Sequence, residues 1–396
     1  MKHDYEYIVL GLGGIGSGAL YWLARQAGKE VLGLEQFDIG HMRGGSQDHS
    51  RIIRLSYHTP GYVELAKVAY HAWAALEADD GAPLIVKTGG LDLYPANAAI
   101  PAIDYANSMT AAGVPFEQLT AAEVMAQWPQ FRLADDVTAI YQAESGIAPA
   151  AKCNAAHLRQ AQAYGAVIRD DAAVTAVRDL GGEIEVVAGG ETYRCRKLVI
   201  AAGAWTNQAL AYFNMKLPLT VTQEQVVYYD SPHAANFMPD RFPIWIWMDE
   251  PSFYGFPVYG EAGPKVAQDV GGQTVTAASR SFEPDPALQQ RIDEFTQRRL
   301  PKAFGKPLLV KTCLYTLTPD RDFVIDTLPG HPDIAVAVGA GHAFKFASVI
   351  GKILSELVRV ETAVSTTLSA GIPDLSPFRI DRPILQVDNP PVHFLV

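Results

Sequence analysis

The sequence predicts an α/β protein with two domains, the second built on a mostly antiparallel sheet, and three observations support this. The chain opens with an apolar strand, a glycine-rich turn, a helix and a second strand. Residues 217–259 are dense in the β-branched and aromatic residues that favour antiparallel strands. A strand, glycines and a helix recur near residue 340. With 396 residues, the chain is also longer than one hydrophobic core usually supports.

The opening unit carries a dinucleotide-binding pattern, G-x-G-G-x-G, between an apolar strand and a small-residue helix. The first glycine allows a tight turn, the second admits a pyrophosphate to bare backbone, and the last permits close packing of helix and strand. An acid at the end of the second strand suits ribose hydroxyls and disfavours a 2′-phosphate, which leaves NAD or FAD. We therefore expect a Rossmann-like domain whose cofactor-binding residues include Gly11, Gly13, Gly14, Gly16 and Glu35.

Composition excludes several classes of protein. The formal charge of −11 and the absence of a Lys/Arg run argue against nucleic-acid binding. No apolar run of about twenty residues predicts a membrane span. Cys153, Cys195 and Cys313 are too few and too scattered for a disulfide framework or a zinc site, so no metal site is expected. They suit a reducing compartment, and we expect a cytoplasmic protein that acts on a small molecule.

The segment after the second strand is a loop rich in Gly, Ser and His that ends in two arginines, Arg51 and Arg54. If the segment turned helical, their spacing of three would put both guanidinium groups on one face, where they suit an anion. The alternative is that they cap a surface helix or pair with nearby acids.

Two later turns repeat the strand–glycine–helix arrangement. One buried strand ends at Gly203, where a ligand can approach the backbone, although a plain turn has the same pattern. The other leads into Gly341, His342 and Lys345, at the start of a helix whose positive end favours an anion. Because cations there oppose the helix dipole, a functional role for His342 and Lys345 is favoured over simple exposure.

Strand and helix patterns also predict domain boundaries. The βαβ pattern does not continue through residues 84–143, which read as an insertion into the cofactor-binding domain. We expect that domain to be discontinuous, from residues 1–83, 144–216 and 319–385. Residues 84–143 and 217–318 would form the substrate domain, with aromatic residues of its sheet facing a cavity or, alternatively, filling a core.

Taken together, these stretches resemble the monomeric sarcosine oxidase and N-methyltryptophan oxidase family of FAD-dependent amine oxidases, over nearly the whole chain. The most specific matches are the stretch around Cys313 and the turn that starts at Gly341. The matching stretches are residues 11–16, 50–54, 254–257, Lys265, 312–320 and 341–346.

The resemblance implies roles for individual residues. Cys313 would carry the flavin covalently; without the family pattern, a buried cysteine of structural use would be the preferred reading. Arg54 and Lys345 would hold the substrate carboxylate, a task that suits a guanidinium fork and an ammonium. Lys265 would lie over the flavin face where oxygen reacts, because a fixed ammonium can stabilise a superoxide-like charge. The remaining assignments are Arg51 beside the flavin ring, Tyr254, Tyr315 and His342 in the substrate pocket, and Arg43, Ser46, Val174, Gly203, Gly341 and Lys345 at the cofactor.

The chain departs from the family pattern at several positions. Gln47 and Asp48 stand where the family often has histidine and glycine, and Asp269 stands where it commonly has histidine. A carboxylate at 269 could pair with a cationic or hydroxylated substrate, which puts simple sarcosine in doubt. Trp245 suggests a more crowded pocket. We therefore assign Asp269 and Trp245 to substrate binding.

The resulting hypothesis is a monomeric oxidase of a secondary amino acid, which would yield an imine and, with O2, hydrogen peroxide. The N-substituent remains open between a methyl group, a ring and a fructosyl group. Alternatives are a flavin dehydrogenase that passes electrons to a carrier, an NAD-dependent dehydrogenase on the same opening motif, and a flavin-bound RNA-modifying or RNA-binding protein, which the acidic charge disfavours.

Overall fold

The computed structural model of the protein describes residues 2–359 and 371–393. Part of the third predicted segment of the cofactor-binding domain, residues 360–370, therefore lies outside the described residues. Within the described ranges, no helix combines the length and the apolar character that crossing a membrane requires.

Helices separate runs of one to five strands along the chain. The helices are α1 (Gly14–Ala27), α2 (Pro60–Asp80), α3 (Ala102–Ala111), α4 (Ala121–Gln127), α5 (Ala150–Ala163), α6 (Thr206–Leu210), α7 (Pro286–Arg299) and α8 (Ala347–Leu357). The strands are β1 (Lys2–Leu10), β2 (Val31–Leu34), β3 (Arg51–Ile53), β4 (Val86–Lys87), β5 (Gly90–Tyr94), β6 (Glu117–Thr120), β7 (Thr138–Gln142), β8 (Gly146–Ala148), β9 (Val167–Arg169), β10 (Val174–Asp179), β11 (Ile184–Ala188), β12 (Glu191–Ile200), β13 (Thr220–Asp230), β14 (Ile244–Trp247), β15 (Ser252–Phe256), β16 (Lys265–Asp269), β17 (Gln273–Thr274), β18 (Lys306–Leu317), β19 (Val324–Leu328) and β20 (His331–Val338).

The first sheet is centred on parallel strands, in the order β9-β2-β1-β12, and continues through β11 and β10. The second half of β12 also pairs in parallel with β20, which pairs with β19. One face of this sheet packs against α1, α5 and α8, while side chains such as Ile8, Leu10 and Val336 fill a second core on the other face. Because both faces are covered, the central strands are apolar almost throughout.

The second sheet consists of β5, β6, β7 and β13–β18. Its strands pair in antiparallel fashion, except that β5 and β14 run parallel. The strands β3, β8 and β4 form a third, small sheet, in which β8 pairs in antiparallel fashion with both β3 and β4. The predicted α/β class, with a mostly antiparallel second sheet, is confirmed.

The helices α1 and α8 of the first core are in close contact, which depends on two glycines. A Cβ atom on Gly18 would lie 2.7 Å from the carbonyl oxygen of Ala347, and one on Gly351 would lie 2.3 Å from the carbonyl carbon of Gly18. Both obstacles are backbone atoms, which cannot rotate away. The two helices can therefore approach this closely only because neither position carries a side chain.

We predict that Gly351→Ala lowers the free energy of unfolding by about 1–3 kcal/mol, because the added methyl group forces α1 and α8 apart. Gly61→Ala is the matched control, since an added Cβ atom in that exposed helical position meets nothing within 4 Å. Chemical denaturation of both variants measures the difference. An unchanged unfolding midpoint for Gly351→Ala would show that the contact is not a close one.

Candidate functional site

The carboxyl ends of four parallel strands meet at one edge of the first sheet. Strands β1, β2, β12 and β20 end there, and the turns that follow them hold Gly11, Glu35, Gly203 and Gly341. A cavity of about 610 Å³ opens at this edge and extends to the second sheet, where Tyr254 and Tyr315 line it. Ligands of open α/β sheets bind at this edge, and the cavity is of the size of a ligand pocket.

The glycine turn after β1 is shaped by close backbone contacts. Gly11 has a φ of 82°, and a Cβ atom there would lie 2.6 Å from the carbonyl oxygen of Ala201. A Cβ atom on Gly16 would lie 1.8 Å from the carbonyl oxygen of Gly11, so this glycine brings the start of α1 against β1. The Oγ atom of Ser46 accepts a 2.8 Å hydrogen bond from the N–H of Gly14 and thereby fixes the loop to the turn.

Glu35 lies buried at the end of β2 and faces the same cavity. Its carboxylate accepts hydrogen bonds from the N–H groups of Leu12 (2.9 Å) and Gln36 (2.8 Å), and His41 Nε2 lies 3.4 Å away. Burial alone would raise the pKa of Glu35, but His41 and the backbone N–H groups outweigh it and lower the pKa. The group is therefore an ionised acceptor, as ribose hydroxyls require.

The other predicted cofactor-binding residues differ in position. Val174, Gly203, Gly341 and Ser46 line the cavity. Arg43 does not; its exposed guanidinium lies 4.7 Å from the ring centroid of Phe37.

Cys313 lies in the strand β18, next to the cavity but not in its lining. Its side chain is 6% exposed and lines a small pocket that shares Gln47, Arg51 and Tyr315 with the main cavity. Burial raises the pKa of the thiol to about 11, although Arg51 acts in the opposite direction. Arg51 itself donates hydrogen bonds to the carbonyl oxygens of Gly45, Gln47 and Ser50.

The two arginines do not share a helical face. The segment from Arg51 to Ile53 is the strand β3, which pairs with β8, so the conditional expectation of a helix is wrong. Both arginines line the cavity, but at different places along it. Accordingly Arg51 lies beside Cys313, whereas Arg54 is buried and donates a 3.1 Å hydrogen bond to Asp92.

Lys345 and His342 follow β20 and line the cavity near Arg54. Among the described residues, no hydrogen bond or ion pair is formed by the Nζ atom of Lys345, which lies 5.8 Å from the ring centroid of Tyr57. Burial, and then the Arg54 charge, lower the pKa of Lys345 to about 7. Burial also lowers the pKa of His342, whose Nε2 is 2.9 Å from the carbonyl oxygen of Arg321, so that the ring is neutral.

Arg321 is a residue that the sequence did not point to. Its Nη2 atom lies 3.1 Å from both carboxylate oxygens of Asp269, and its Nε donates to the carbonyl oxygen of Ala340. The side chain is 1% exposed, yet the residue lines the cavity beside Tyr315. Arg321 follows β18 in a segment that has no distinctive motif. Only its contact with Asp269 in the structure identifies it as part of the site.

The tyrosines at the cavity are close to one another. The hydroxyl groups of Tyr254 and Tyr315 are 3.4 Å apart, and burial raises the pKa of both. Both hydroxyl groups therefore stay protonated at neutral pH, and each can donate a hydrogen bond.

Lys265 begins the strand β16 and is buried, in contact with Asp48. Its Nζ atom donates to Asp48 Oδ2 (2.8 Å), to Ser50 Oγ (2.9 Å) and to the carbonyl oxygen of Ser50 (3.0 Å). Burial lowers the pKa of Lys265 to about 8, against the effect of Asp48. Lys265 itself does not line the cavity, whereas its neighbours Asp48 and Phe256 do.

Trp245 does not contact the cavity. Its ring is 1% exposed and stacks on Phe295 of α7, with centroids 5.8 Å apart. Because side chains alternate along a strand, its neighbour Ile246 faces the cavity instead. The assignment of Trp245 to the substrate pocket is therefore wrong.

These features fit a dinucleotide of the FAD type. Only glycine fits at positions 11 and 16, the acid that suits a ribose is ionised, and the cavity continues past the turn to a part of its lining that contains Arg54, Arg321 and Lys345. Within the described residues, no cluster of metal-binding side chains occurs.

Comparison with known proteins agrees with this geometry. Residues 6–357 match the family described as FAD dependent oxidoreductase. The chain is 32% identical to the monomeric sarcosine oxidase of Streptomyces avermitilis, with 91% of this chain and 95% of that one covered. It is 30% identical to the N-methyl-L-tryptophan oxidase of Citrobacter koseri, with 96% and 99% covered.

A solved structure of NikD, described as an unusual amino acid oxidase essential for nikkomycin biosynthesis, superposes with a TM-score of 0.82. The superposition covers 95% of this chain and 97% of NikD at 24% identity, which shows the shared fold. The turn geometry, the acid at position 35 and these matches lead to one conclusion: the protein belongs to the FAD-dependent oxidoreductase family.

Proposed function

We propose that the protein oxidises a secondary amino acid, N-methylated or otherwise N-substituted, to an imine, with O2 as the electron acceptor and hydrogen peroxide as the product. The names of the sarcosine and N-methyltryptophan oxidases, which match nearly the whole chain, support this reaction class. The observation that carries the proposal is the Lys345 ammonium in the cavity near Arg54, which forms no ion pair among the described residues. A partly buried cation in this situation favours an anionic ligand.

The substrate carboxylate would bind to Lys345 and Arg54. Arg54 is already paired with Asp92, so that its position is fixed before substrate arrives. Lys345 would supply the charge that the carboxylate neutralises. An amino acid held in this way has its α-carbon in one defined place, which is the main contribution that binding residues make to a transfer reaction.

The amine end would lie among Tyr254, Tyr315, His342 and the Asp269–Arg321 pair. Bound FAD would accept a hydride equivalent from the carbon next to the amine nitrogen, and the imine would hydrolyse after release. His342 is neutral and does not repel the amine. Arg321 holds the Asp269 carboxylate at the cavity wall, where it can accept a hydrogen bond from the amine or from a polar N-substituent.

The cofactor would bind along the first sheet and end at Cys313. The glycine turn at Gly11, Gly13 and Gly14, together with Ser46, would bind the pyrophosphate. Glu35 would bind the ribose. Val174, Gly203 and Gly341 would contact other parts of the cofactor. Arg51 would lie beside the flavin ring. We also propose covalent attachment through Cys313, which shares a pocket with Arg51 and Tyr315.

The proposal extends to the roles of the two sheets, the location of the protein and its oligomeric state. The first sheet with α1, α5 and α8 would be the cofactor-binding domain, and the second sheet the substrate domain. The three cysteines are free thiols, which supports a cytoplasmic location. We propose a monomer, on the resemblance to monomeric sarcosine oxidases.

A peroxide assay over a panel of amino acids tests the reaction. The panel should contain N-methyl, cyclic and fructosyl amino acids, with the corresponding primary amino acids as matched controls. Peroxide formed in proportion to consumption of a secondary amino acid supports the proposal. Reduction of the flavin without peroxide would instead identify a dehydrogenase, and failure of every amino acid to bleach the flavin under anaerobic conditions would refute the proposed substrate class.

We predict that affinity for a simple carboxylate such as propionate falls as the pH rises above about 7. The ammonium form of Lys345 binds the anion, and its pKa of about 7 in the free site means that this form is lost above that pH. The dissociation constant should then rise by up to about tenfold per pH unit. Absorbance titration of the bound flavin measures it. Lys345→Gln should bind propionate weakly and with no pH dependence around 7; an identical pH profile in this variant would assign the effect to another group.

We predict that Cys313 retains the flavin through acid precipitation. The yellow colour of the wild-type protein should remain in the pellet, while Cys313→Ala should release it into the supernatant. Cys153→Ala is the control, since this buried cysteine lies in α5, away from the cavity lining. Release of the colour from the wild-type protein would exclude the covalent bond without excluding FAD.

A further inference from the structure

The turn that follows Asp269 is held by a buried acid, Glu224, and we propose that Glu224 is a positioning residue that sets where the Asp269 carboxylate meets the substrate. The inference rests on the proposed function, because it concerns the amine end of that substrate. Asp269 ends β16 and lines the cavity. Glu224 belongs to β13, is 2% exposed and does not line the cavity, so it can act on a ligand only through its neighbours.

The pairing of β13 with its neighbours is interrupted at this turn. On one edge, β13 pairs with β16 at Val226 and with β17 at Gln223. Two residues of β13 therefore face five residues, 268–272, of the neighbouring segment. The extra residues form a bulge, and bulges beside active sites commonly redirect a side chain. Of residues 268–272, Asp269 is the one that lines the cavity.

Glu224 supplies the hydrogen-bond acceptors beneath the bulge. Its Oε2 atom accepts hydrogen bonds from the N–H groups of Gly271 (3.1 Å) and Gly272 (3.0 Å). Its Oε1 atom accepts a hydrogen bond from the hydroxyl of Thr222 (2.6 Å). A Cβ atom on Gly272 would lie 1.9 Å from the carbonyl oxygen of Gln223, so the turn lies directly against β13. One carboxylate thus fixes the backbone of the turn to the strand.

The backbone of the turn requires such an anchor. Val270 has a φ of 50°, in the left-handed region, which is sterically unfavourable for a β-branched residue. A conformation of this kind persists only where surrounding contacts enforce it. Gln268 donates to the carbonyl oxygen of Val270 (3.2 Å) and Arg291 to that of Gly271 (2.9 Å), while Glu224 provides the contacts on the β13 side. Without Glu224, Val270 can return to a favourable conformation, and the residue before it moves as well.

The other fixed neighbour of Asp269 is Arg321. Both carboxylate oxygens of Asp269 lie 3.1 Å from Arg321 Nη2, and Arg321 Nε donates to the carbonyl oxygen of Ala340. The Arg321 side chain is 1% exposed, so that it has little room to follow a displaced carboxylate. The place of Asp269 in the cavity therefore depends on the turn at one end and on Arg321 at the other.

A double-mutant cycle tests whether Glu224 acts through Asp269. The dissociation constant of the secondary amino acid is taken from the concentration dependence of anaerobic flavin reduction in Glu224→Leu, Asp269→Asn and the double variant. We expect about tenfold weaker binding in each single variant, because the carboxylate that accepts the hydrogen bond is misplaced or missing. Adding Glu224→Leu to Asp269→Asn should cost less than about twofold more. Additive losses, or no loss in Glu224→Leu, would overturn the inference.

Two control variants and a second ligand separate positioning from general damage. Glu224→Gln keeps an acceptor for the turn, and Gln225→Leu removes a buried side chain that bonds at the start of α7; both should bind the amino acid within about threefold of wild type. Propionate has no amine, and its binding to Glu224→Leu should stay within about twofold of wild type at about pH 6, where Lys345 is an ammonium. Failure of Glu224→Gln to restore binding, or equal losses for both ligands, would contradict the assignment.

A crystal structure of Glu224→Leu provides a readout that needs no substrate. We expect residues 270–272 to be displaced and the Asp269–Arg321 contact to lengthen beyond about 3.5 Å. Gly272→Ala is a second route to the same displacement, since its Cβ atom would meet the carbonyl oxygen of Gln223. An unchanged Asp269–Arg321 contact in these variants would overturn the inference. Absence of flavin reduction in the wild-type protein would refute the proposed substrate class instead, and the crystal structures would then decide the inference alone.

Discussion

The approach of three backbone segments at one edge of the first sheet is the constraint on which the rest of the structure depends. Gly11 lies against Ala201 of the segment after β12, and Gly16 brings α1 against Gly11. Since backbone atoms form both contacts, no rearrangement of side chains can replace them. They fix where the N-terminus of α1 points, and therefore where the cavity begins. Everything that the second sheet contributes is positioned relative to that point.

Charge is distributed along the cavity in a way that favours anions at its inner end. Arg51, Arg54, Lys311, Arg321 and Lys345 line it, and three carboxylates pair with most of them. The pairs orient the guanidinium groups while leaving excess positive charge. Lys345 is the cation of the lining that lacks such a carboxylate contact among the described residues. A carboxylate ligand could form with Lys345 the ion pair that no acidic side chain of the described residues forms with it.

Much of the fold and part of the candidate site could be predicted from the sequence. The glycine turn and Glu35 depend on local spacing, which a sequence displays directly. The strand at Arg51 could not be predicted, because its partner β8 lies almost a hundred residues away and the local spacing fits a helix equally well. Trp245 was assigned to the wrong face because aromatic residues of a sheet suit a core and a pocket alike. Arg321 and the burial of Lys265 emerge only when distant segments meet at Asp269 and Asp48.

The strand β18 has a consequence for how this protein can change. Lys311, Cys313 and Tyr315 occupy alternate positions of a strand paired with β13 along most of its length. Adding or removing one residue between them would turn part of the set to the opposite side of the sheet. Substitutions can therefore alter the chemistry of this wall one side chain at a time, whereas changes in chain length must fall in the segments before residue 306 or after residue 317. The number of residues in β18 is as much a part of the site as their identity.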